Sequence, residues 1–226
     1  MLLEVIVQSI DDARAAARGG ADRLEVVRDI DRRGLTPDVA LVRAIASEVN
    51  LPLRIMIRDS DGFTAANASE VSALQRALAS FASLPIDGIV VGFARSGALD
   101  LDLTNTVLST APHVRATFHH AFDEADRPLD ALDALKQVPQ IDRVLTTGGQ
   151  DSWAERQRRL ATYVERAGRL TILAGGGIDA NGLRDLTATG VVREVHVGRA
   201  AREPQQSSAP VSADRVKLLK ALTYSP

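Results

Sequence analysis

Two adjacent histidines, His119 and His120, follow a short apolar run and precede Asp123. Imidazole titrates near neutral pH, so a histidine beside a carboxylate suits either a general base or a metal ligand. Side chains alternate along a strand, and we therefore expect only one histidine of the pair to face the inside of the fold. If Thr117 faces inward, His119 does too, and Asp123 then orients it. The alternative is a buried histidine that is satisfied by hydrogen bonds.

A second group of residues has the composition of an anion site. The run Gly175, Gly176 and Gly177 follows one predicted strand, and Gly198 and Arg199 follow the next. Glycine lets backbone N–H groups approach an anion closely, a following helix N-terminus adds a favourable dipole, and arginine binds phosphate or carboxylate as a planar fork. We expect a small anionic ligand here. The alternative is that the glycines only form tight turns.

Glu4, Glu25 and Arg58 lie in segments that are otherwise almost wholly apolar. A buried strand accepts a charge only where the charge is paired or lies at a rim. We expect these three side chains in the interior or at the mouth of the fold, where Glu25 suits acid–base work and the other two suit ligand binding. The carboxylates could pair with Arg54 or Arg143.

Arg23, Arg143 and Glu194 occupy the first positions of their predicted strands. A charge at the start of a strand reaches solvent more easily than one in its middle. We therefore expect these three side chains to cap the strand starts and to be solvated.

Eight short aliphatic runs, each followed by a turn and a helical pattern, carry these residues. The runs span 2–7, 23–27, 53–57, 88–91, 114–118, 143–146, 170–174 and 194–197. Strands that alternate with helices indicate a parallel sheet covered by helices, and eight such units favour a closed barrel. An open doubly wound sheet is the alternative, but the first turn lacks a glycine-rich dinucleotide fingerprint. We predict an α/β fold with a single (β/α)8 TIM-type barrel spanning 1–226 and a flexible loop at 202–210.

Composition excludes several functions. Hydrophobic residues make up 45% of the chain and charged residues 25%, as in ordinary globular proteins. The net charge of −2 provides no basic field for nucleic acid or an anionic membrane. The sequence shows no signal peptide and no apolar stretch of about 20 residues, so we expect a cytoplasmic protein without nucleic-acid or membrane partners. Cysteine is absent, which excludes disulfides and thiolate chemistry.

Motifs along the whole chain resemble those of the CutC copper-homeostasis family. The resemblance extends from residue 3 to about residue 220, and its most specific parts are Gly-Leu-Thr-Pro at 34–37 and Phe-His-His-Ala-Phe-Asp at 118–123. The matching segments are 3–5, 20–26, 34–37, 55–58, 117–123, 143–148, 174–177, Asn181 and 194–196.

The resemblance implies a TIM-type barrel, a cytoplasmic homodimer and a role in copper homeostasis. It also implies a polar mouth formed by Glu4, Glu25, Arg58, His119, Asp123 and His196. This chain departs from the family pattern at Asp59-Ser60 and at His120, where the family has arginines. The cysteines proposed as Cu(I) ligands in some members have no counterpart, and soft Cu(I) prefers sulfur ligands. Any bound metal would be a divalent ion such as Cu²⁺ or Zn²⁺, held by His119 and His196.

Three functions therefore stay open. The first is copper homeostasis with direct binding of a divalent ion. The second is a barrel enzyme that acts on a small phosphorylated or carboxylated metabolite, with His119, Asp123 and Glu25 as its catalytic residues. The third is a barrel that binds and senses such an anion without catalysis.

Overall fold

The computed structural model describes residues 1–224 and contains a closed barrel of eight parallel strands. The order around the barrel is β1-β10-β9-β8-β7-β4-β3-β2, and β5 and β6 form a separate antiparallel hairpin. This arrangement confirms the predicted (β/α)8 barrel. The strands are β1 Leu2–Val7, β2 Arg23–Val26, β3 Leu53–Met56, β4 Gly88–Val91, β5 Ala94–Arg95, β6 Ala98–Leu99, β7 Ala116–Phe118, β8 Ile141–Thr146, β9 Thr171–Ala174 and β10 Glu194–Val197.

Eight α-helices surround the strands in the part of the chain that the structure describes. Several begin at the polar caps that favour helix initiation, as at Ser9, Asn67 and Ser152, whose side chains accept hydrogen bonds from backbone N–H groups of the first turn. The helices are α1 Ile10–Gly19, α2 Val39–Glu48, α3 Ala68–Ala82, α4 Leu101–Leu108, α5 Pro128–Leu135, α6 Trp153–Ala167, α7 Ala180–Thr189 and α8 Ala213–Ala221. None of them is long and apolar enough to cross a membrane, within the described residues.

The apolar core has two parts. The larger part lies between the strands and the helices and includes Leu3, Val5 and Leu24. A small cluster of Ile6, Val27, Met56 and Val90, joined by Ile30, is separate from it. Polar side chains surround this small cluster. Their charges therefore determine which chemistry the interior of the barrel can support.

Charged residues pair at the amino-terminal end of the barrel, and we call this group the basal ion network. Arg23 is 2% exposed and donates to Glu4 at 2.5 Å and to Glu194 at 2.6 Å. Arg143 also donates to Glu194, at 2.8 Å. The expectation that Arg23, Arg143 and Glu194 are solvated caps is therefore wrong. Their side chains turn into the barrel, where each charge finds an opposite one.

Arg54 completes the basal ion network with partners that the sequence did not suggest. Its guanidinium is fully buried and donates to Asp87 at 2.6 Å and to Asp142 at 2.9 Å. Asp142 also accepts from Arg143, so the network is continuous. The expected pairing of Glu4 and Glu25 with Arg54 or Arg143 is not found, because Arg54 pairs with Asp87 and Asp142, and Arg143 pairs with Asp142 and Glu194.

The segment 202–210 connects β10 to α8, as expected, and Arg202 fastens its first residue. The Arg202 side chain is fully buried and donates to Asp12 and to the backbone oxygen of Ile6, each at 3.2 Å. Arg202 also forms an antiparallel bridge with Val211. The two ends of the segment are thereby held together against the start of α1.

Candidate functional site

A cavity of about 430 Å³ lies at the carboxyl ends of the strands, and we call it the mouth pocket. This is the end at which TIM barrels carry their active sites. Four of the five residues predicted to bind an anion line it directly, and the fifth, Gly175, immediately precedes them. The lining residues are Ile6, Ile30, Arg33, His120, Gly176, Gly177, Ile178, Asp179, His196, Gly198, Arg199, Ala200, Gln205 and Ser207.

The glycine run after β9 presents backbone donors to this pocket. Gly176 and Gly177 adopt the left-handed conformation, with φ of 76° and 77°, which glycine reaches without a steric penalty. Within the described residues, the N–H groups of Gly176, Gly177 and Ile178 have no protein acceptor. Consecutive N–H groups of this kind form a concavity that binds anions. An anion could therefore satisfy three donors that the fold leaves open.

Arg156 on α6 fixes the glycine run from behind. Its guanidinium donates to the backbone oxygens of Gly175 at 2.9 Å, of Gly176 at 2.8 Å and of Thr147 at 2.7 Å. The indole ring of Trp153 stacks on this guanidinium at 5.1 Å. Because the carbonyl groups are held by Arg156, the orientation of the peptide units in the run is set before any ligand arrives.

Arg199 brings a cation to the same place. A Cβ atom added to Gly177 would lie 3.7 Å from its guanidinium, so Arg199 stands over the glycine run. Arg199 is exposed and makes no ion pair among the described residues. The one carboxylate lining the pocket, Asp179, accepts hydrogen bonds from Asn181 and Gly182 as the cap of α7. The mouth pocket therefore carries an excess of donors and positive charge.

Glu4, Glu25 and His196 meet inside the barrel below the pocket. The Nδ1 atom of His196 lies 2.8 Å from a carboxylate oxygen of Glu4 and 3.2 Å from one of Glu25. The strand register explains the meeting, since Glu4 on β1 lies opposite His196 on β10, and Glu25 on β2 lies opposite Ile6 on β1. All three side chains are at least nine-tenths buried.

The surroundings separate the pKa values of the two carboxyl groups. Burial opposes the ionisation of Glu4, but Arg23 and His196 outweigh it and lower the pKa of Glu4 to about 2. Burial raises the pKa of Glu25 to about 7, with help from the charge of Glu4 and against the attraction of His196. For His196, the two carboxylates outweigh burial and raise the pKa. Near neutral pH, Glu4 is thus a fixed anion and Glu25 is able to exchange a proton.

His119 is buried and lines a smaller cavity of about 60 Å³ together with Glu25 and His196. Its Nδ1 atom accepts the backbone N–H of Ala121 at 3.1 Å, so the ring proton of the neutral form is on Nε2. Burial and the nearby charge of Arg58 lower the pKa of His119 to about 3. Its Nε2 atom has no partner among the described residues. This geometry favours His119 as a neutral hydrogen-bond donor over the general base that the sequence suggested.

Asp123 contacts His120 and not His119. Its carboxylate lies 2.9 Å from Nδ1 of His120 and accepts the hydroxyl of Thr146 at 2.5 Å and the backbone N–H of Thr147 at 3.0 Å. The expected pairing with His119 is wrong because β7 ends at Phe118. Residues 120–124 then form a 3-10 turn, which brings His120 to the pocket as well. Both histidines thus line the site, although strict strand alternation allowed only one.

Arg58 lies at the mouth, as expected, but all of its side-chain hydrogen bonds are to backbone oxygens. Its Nη1 atom donates to Arg32, Arg33 and Gly34 at 3.0–3.2 Å, and its other nitrogens donate to Asp61 and Gly62. The guanidinium is 4% exposed and holds together the loops that follow β2 and β3. Arg58 therefore shapes the site, and its donors are already occupied.

Several lining residues carry no signal in the sequence. Arg33 lines both the mouth pocket and the smaller cavity, and Gln205 and Ser207 line the pocket from the segment after β10. No motif marks them, because each belongs to a loop whose path depends on the whole barrel. The clearest hint in the sequence is the pair of arginines that immediately precedes Gly34.

Glu4, Glu25 and His196 are the one group of three or more candidate metal ligands within residues 1–224, with ligand atoms within 4.8 Å of one another. His119 is outside this group. The arrangement fits a metal ion poorly, because the guanidinium of Arg23 already pairs with Glu4 and the raised pKa of His196 disfavours the neutral ring that a metal needs. Cu(I) fits no better, since cysteine is absent and Met56 is the only thioether that lines the smaller cavity.

Two curated relatives are similar to this chain over most of its length. A curated CutC protein from Histophilus somni (strain 2336) is 33% identical over 210 residues, covering 92% of this chain and 85% of that protein. The human copper homeostasis protein cutC homolog is 31% identical over 226 residues, covering 99% of this chain and 82% of that protein.

Solved structures show the same fold. The structure of CutC from Streptococcus agalactiae superposes with a TM-score of 0.80 at 21% identity and covers 87% of this chain and 97% of that one. Phosphoribosyl anthranilate isomerase from Thermococcus kodakaraensis superposes with a TM-score of 0.62 at 14% identity, covering 100% and 99%. The model of the CutC family matches residues 1–201. The chain therefore belongs to the CutC family.

Proposed function

We propose that this CutC-family protein is an enzyme that moves a proton on a small metabolite bearing a phosphate or carboxylate group. The single observation that carries the proposal is the position of Glu25, with its pKa raised to about 7, directly below a pocket with unpaired anion donors. His196 lines both the pocket and the smaller cavity of Glu25 and so links the two. Perturbed titratable groups next to such a pocket are typical of catalytic sites.

Binding starts at the glycine run. A phosphate or carboxylate accepts the free N–H groups of Gly176, Gly177 and Ile178 and pairs with Arg199. The volume of about 430 Å³ limits the ligand to a small molecule. The rest of the substrate extends toward the smaller cavity, where Glu25 and His119 face it.

The chemistry that these groups support is proton transfer next to a carbonyl. The Glu25 carboxylate takes a proton from a substrate carbon, and the electron pair of that C–H bond forms a C=C bond as the carbonyl π electrons move to oxygen. The N–H at Nε2 of His119 donates a hydrogen bond to this oxygen and stabilises its negative charge. The imidazole ring can make this hydrogen bond in its neutral form. Where the carbon that lost its proton bears a hydroxyl group, the hydroxyl proton moves to the former carbonyl oxygen, and Glu25 returns its proton to the former carbonyl carbon. The new carbonyl group then forms at the donor carbon, which completes an isomerisation.

His196 and Glu4 keep Glu25 ready for both halves of this cycle. The cationic ring of His196 lies 3.2 Å from Glu25 and stabilises its carboxylate, whereas burial and Glu4 favour its protonated form. The opposing influences place the pKa near neutral pH, which is the best value for a group that both accepts and donates a proton.

The name of the human relative connects the family with copper homeostasis, and we propose that this protein serves such a role without coordinating copper. Arg23 already pairs with Glu4, the raised pKa of His196 disfavours the neutral ring that a metal needs, and the sequence contains no cysteine. Titration with Cu(I), Cu(II) and Zn²⁺ is expected to show no binding tighter than that of a histidine-containing control protein. A tight equimolar complex would contradict this proposal.

Solvent-exchange NMR tests the enzymatic proposal whatever the product of the reaction is. The protein is incubated in D₂O with a panel of phosphorylated and carboxylated keto and aldehyde metabolites, and loss of C–H signals is followed. We expect at least one compound to exchange a proton next to its carbonyl. Glu25→Gln is expected to slow that exchange about 10²–10⁴-fold, because it removes the group that carries the proton.

Glu165→Gln is the matched control, since Glu165 is exposed on α6 and does not line the mouth pocket or the smaller cavity. It should exchange at the wild-type rate. Binding of panel compounds without any exchange would refute the enzymatic proposal and favour a sensing role. Unchanged exchange in Glu25→Gln would remove Glu25 from the mechanism.

A further inference from the structure

Arg33 is an exposed arginine with an unusual backbone and no ionic partner. Its φ of 64° places it in the left-handed region, which is sterically unfavourable for a residue with a Cβ atom. Its guanidinium makes no hydrogen bond or ion pair with the described residues. Its charge instead adds to burial in lowering the pKa of the Arg58 guanidinium, so the two cations repel each other. Such strain persists only where the surrounding structure imposes it, and it is typical of functional sites.

The surrounding structure does impose it. The buried guanidinium of Arg58 binds the backbone oxygens of Arg32, Arg33 and Gly34, at 3.2, 3.2 and 3.0 Å. The N–H of Leu35 and the backbone oxygen of Arg28 close the same turn at 2.8 Å. Arg58, whose guanidinium donates to backbone oxygens, thus holds the backbone of Arg33, whose guanidinium has no partner among the described residues.

The position of Arg33 differs from that of Arg199. Arg199 stands over Gly177 and lines the mouth pocket only, whereas Arg33 lines both the mouth pocket and the smaller cavity that contains Glu25. The single carboxylate of the pocket, Asp179, belongs to the glycine-run side and caps α7. The pocket therefore presents two separate positive charges that no described residue neutralises.

We propose that Arg33 binds a second anionic group, so that the substrate carries two separate acid groups, one at the glycine run and one at Arg33. This inference rests on the proposed function and narrows its substrate class to phosphorylated carboxylic acids and similar bis-anions. A ligand with one anionic group would leave one guanidinium unpaired. A ligand with two satisfies both and lies across the entrance to the cavity of Glu25.

Calorimetric titration tests this inference with probes that differ by one charge. A series of phosphorylated hydroxy acids of increasing chain length is compared with the corresponding primary amides, which keep the phosphate and lose the carboxylate charge. In the wild-type protein we expect at least one acid to bind about tenfold more tightly than its amide. Arg33→Gly suits the left-handed backbone and removes the guanidinium, and it should abolish this preference while leaving the affinity for the amide unchanged.

Three further variants fix the interpretation. Arg199→Ala should weaken acid and amide alike, because both use the phosphate site. Arg18→Ala removes an exposed, unpaired arginine at the end of α1 and should change neither affinity. Arg33→Lys should restore part of the acid preference, since it returns the charge.

The inference is overturned if Arg33→Gly retains the preference for the acid, or if it weakens acid and amide equally. Absence of any binding to the wild-type protein would overturn both the anion site and this inference. Acid-selective binding that depends on Arg33, without C–H exchange in D₂O, would refute the proposed proton transfer and support the bis-anionic ligand.

Discussion

The two ends of the barrel interior carry similar residues and use them differently. At the amino-terminal end, Arg23, Arg54 and Arg143 are all paired with carboxylates at 2.5–2.9 Å. At the carboxyl-terminal end, Arg33 and Arg199 have no ionic partner among the described residues, and three backbone N–H groups have no acceptor there. Charges that are satisfied within the fold hold it together, whereas charges left open are available to a ligand.

The largest expected effect comes from the paired end. Arg23→Met should lower the free energy of unfolding by about 3–5 kcal/mol, because Glu4 and Glu194 would remain buried without their shared cation. Urea denaturation followed by circular dichroism measures the change. If the variant does not fold, Glu194→Gln, which keeps Glu4 paired, should show a smaller loss. A loss under about 0.5 kcal/mol in Arg23→Met would contradict the contrast between the two ends.

The second prediction concerns the pH dependence of the free energy of unfolding that arises from Glu25. Its pKa is about 7 in the folded protein and near 4.5 when unfolded. Because the folded protein favours the protonated form of Glu25, this group's contribution to stability is complete below pH 4.5 and is lost as the pH rises toward 7. Glu25→Gln stays neutral, so its stability relative to the wild-type protein should increase over this interval by roughly 1–3 kcal/mol. Urea midpoints measured from pH 4 to pH 8 check it, and Glu165→Gln should give a constant difference.

Glu4 is expected to act in the opposite direction at lower pH. Its pKa of about 2 lies below the unfolded value of 4.5, so its contribution is present above pH 4.5 and is lost as the pH falls toward 2. Together the two carboxyl groups favour maximum stability in mildly acidic solution. A stability that rises steadily between pH 4.5 and 7 would contradict the assignment for Glu25.

The third prediction concerns the open end. Arg199→Ala should weaken the binding of inorganic phosphate about tenfold and change the free energy of unfolding by less than about 0.5 kcal/mol, because this guanidinium pairs with ligand and not with the fold. Titration with phosphate and urea denaturation measure the two quantities on the same sample. Strong destabilisation would show that Arg199 belongs with the structural arginines.

The smallest effect is expected at Arg33. Arg33→Gly should leave the stability unchanged or raise it by up to about 1 kcal/mol, since glycine accepts the left-handed backbone while adding some entropy to the unfolded chain. Thermal denaturation without ligand measures this change. A marked loss of stability would indicate that the Arg33 side chain supports the fold and would remove the contrast with Arg23.

The sequence predicted the barrel because hydrophobic periodicity and helix caps are local signals. Each predicted strand overlaps an observed one, and the glycines that we propose to bind an anion lie at the carboxyl ends of the strands, where the strand order places them. The hairpin of β5 and β6 was not predicted, since two residues per strand are too few for a periodic pattern. The barrel strands and helices are long enough to show a repeating pattern, whereas the hairpin is too short to show one.

Pairings between distant residues were harder to predict. The partner of Asp123 depends on the residue at which β7 ends, and the partners of Arg54 depend on aspartates 33 and 88 positions away. Likewise, nothing local distinguishes Arg33 from Arg32, because a left-handed backbone at a residue other than glycine is imposed by contacts from elsewhere. Residue type indicated which side chains are charged, and only the closed barrel determined which charges remain open.

The seam between the first and last strands has a consequence for how the protein is made. Glu4 and His196 are 192 positions apart and meet only because β1 pairs with β10. Glu25 likewise meets His196 only when that final junction forms, since Glu25 is on β2 and His196 is on β10. The proposed proton transfer therefore requires the closed ring, and a nascent or partly opened chain is expected to lack this activity.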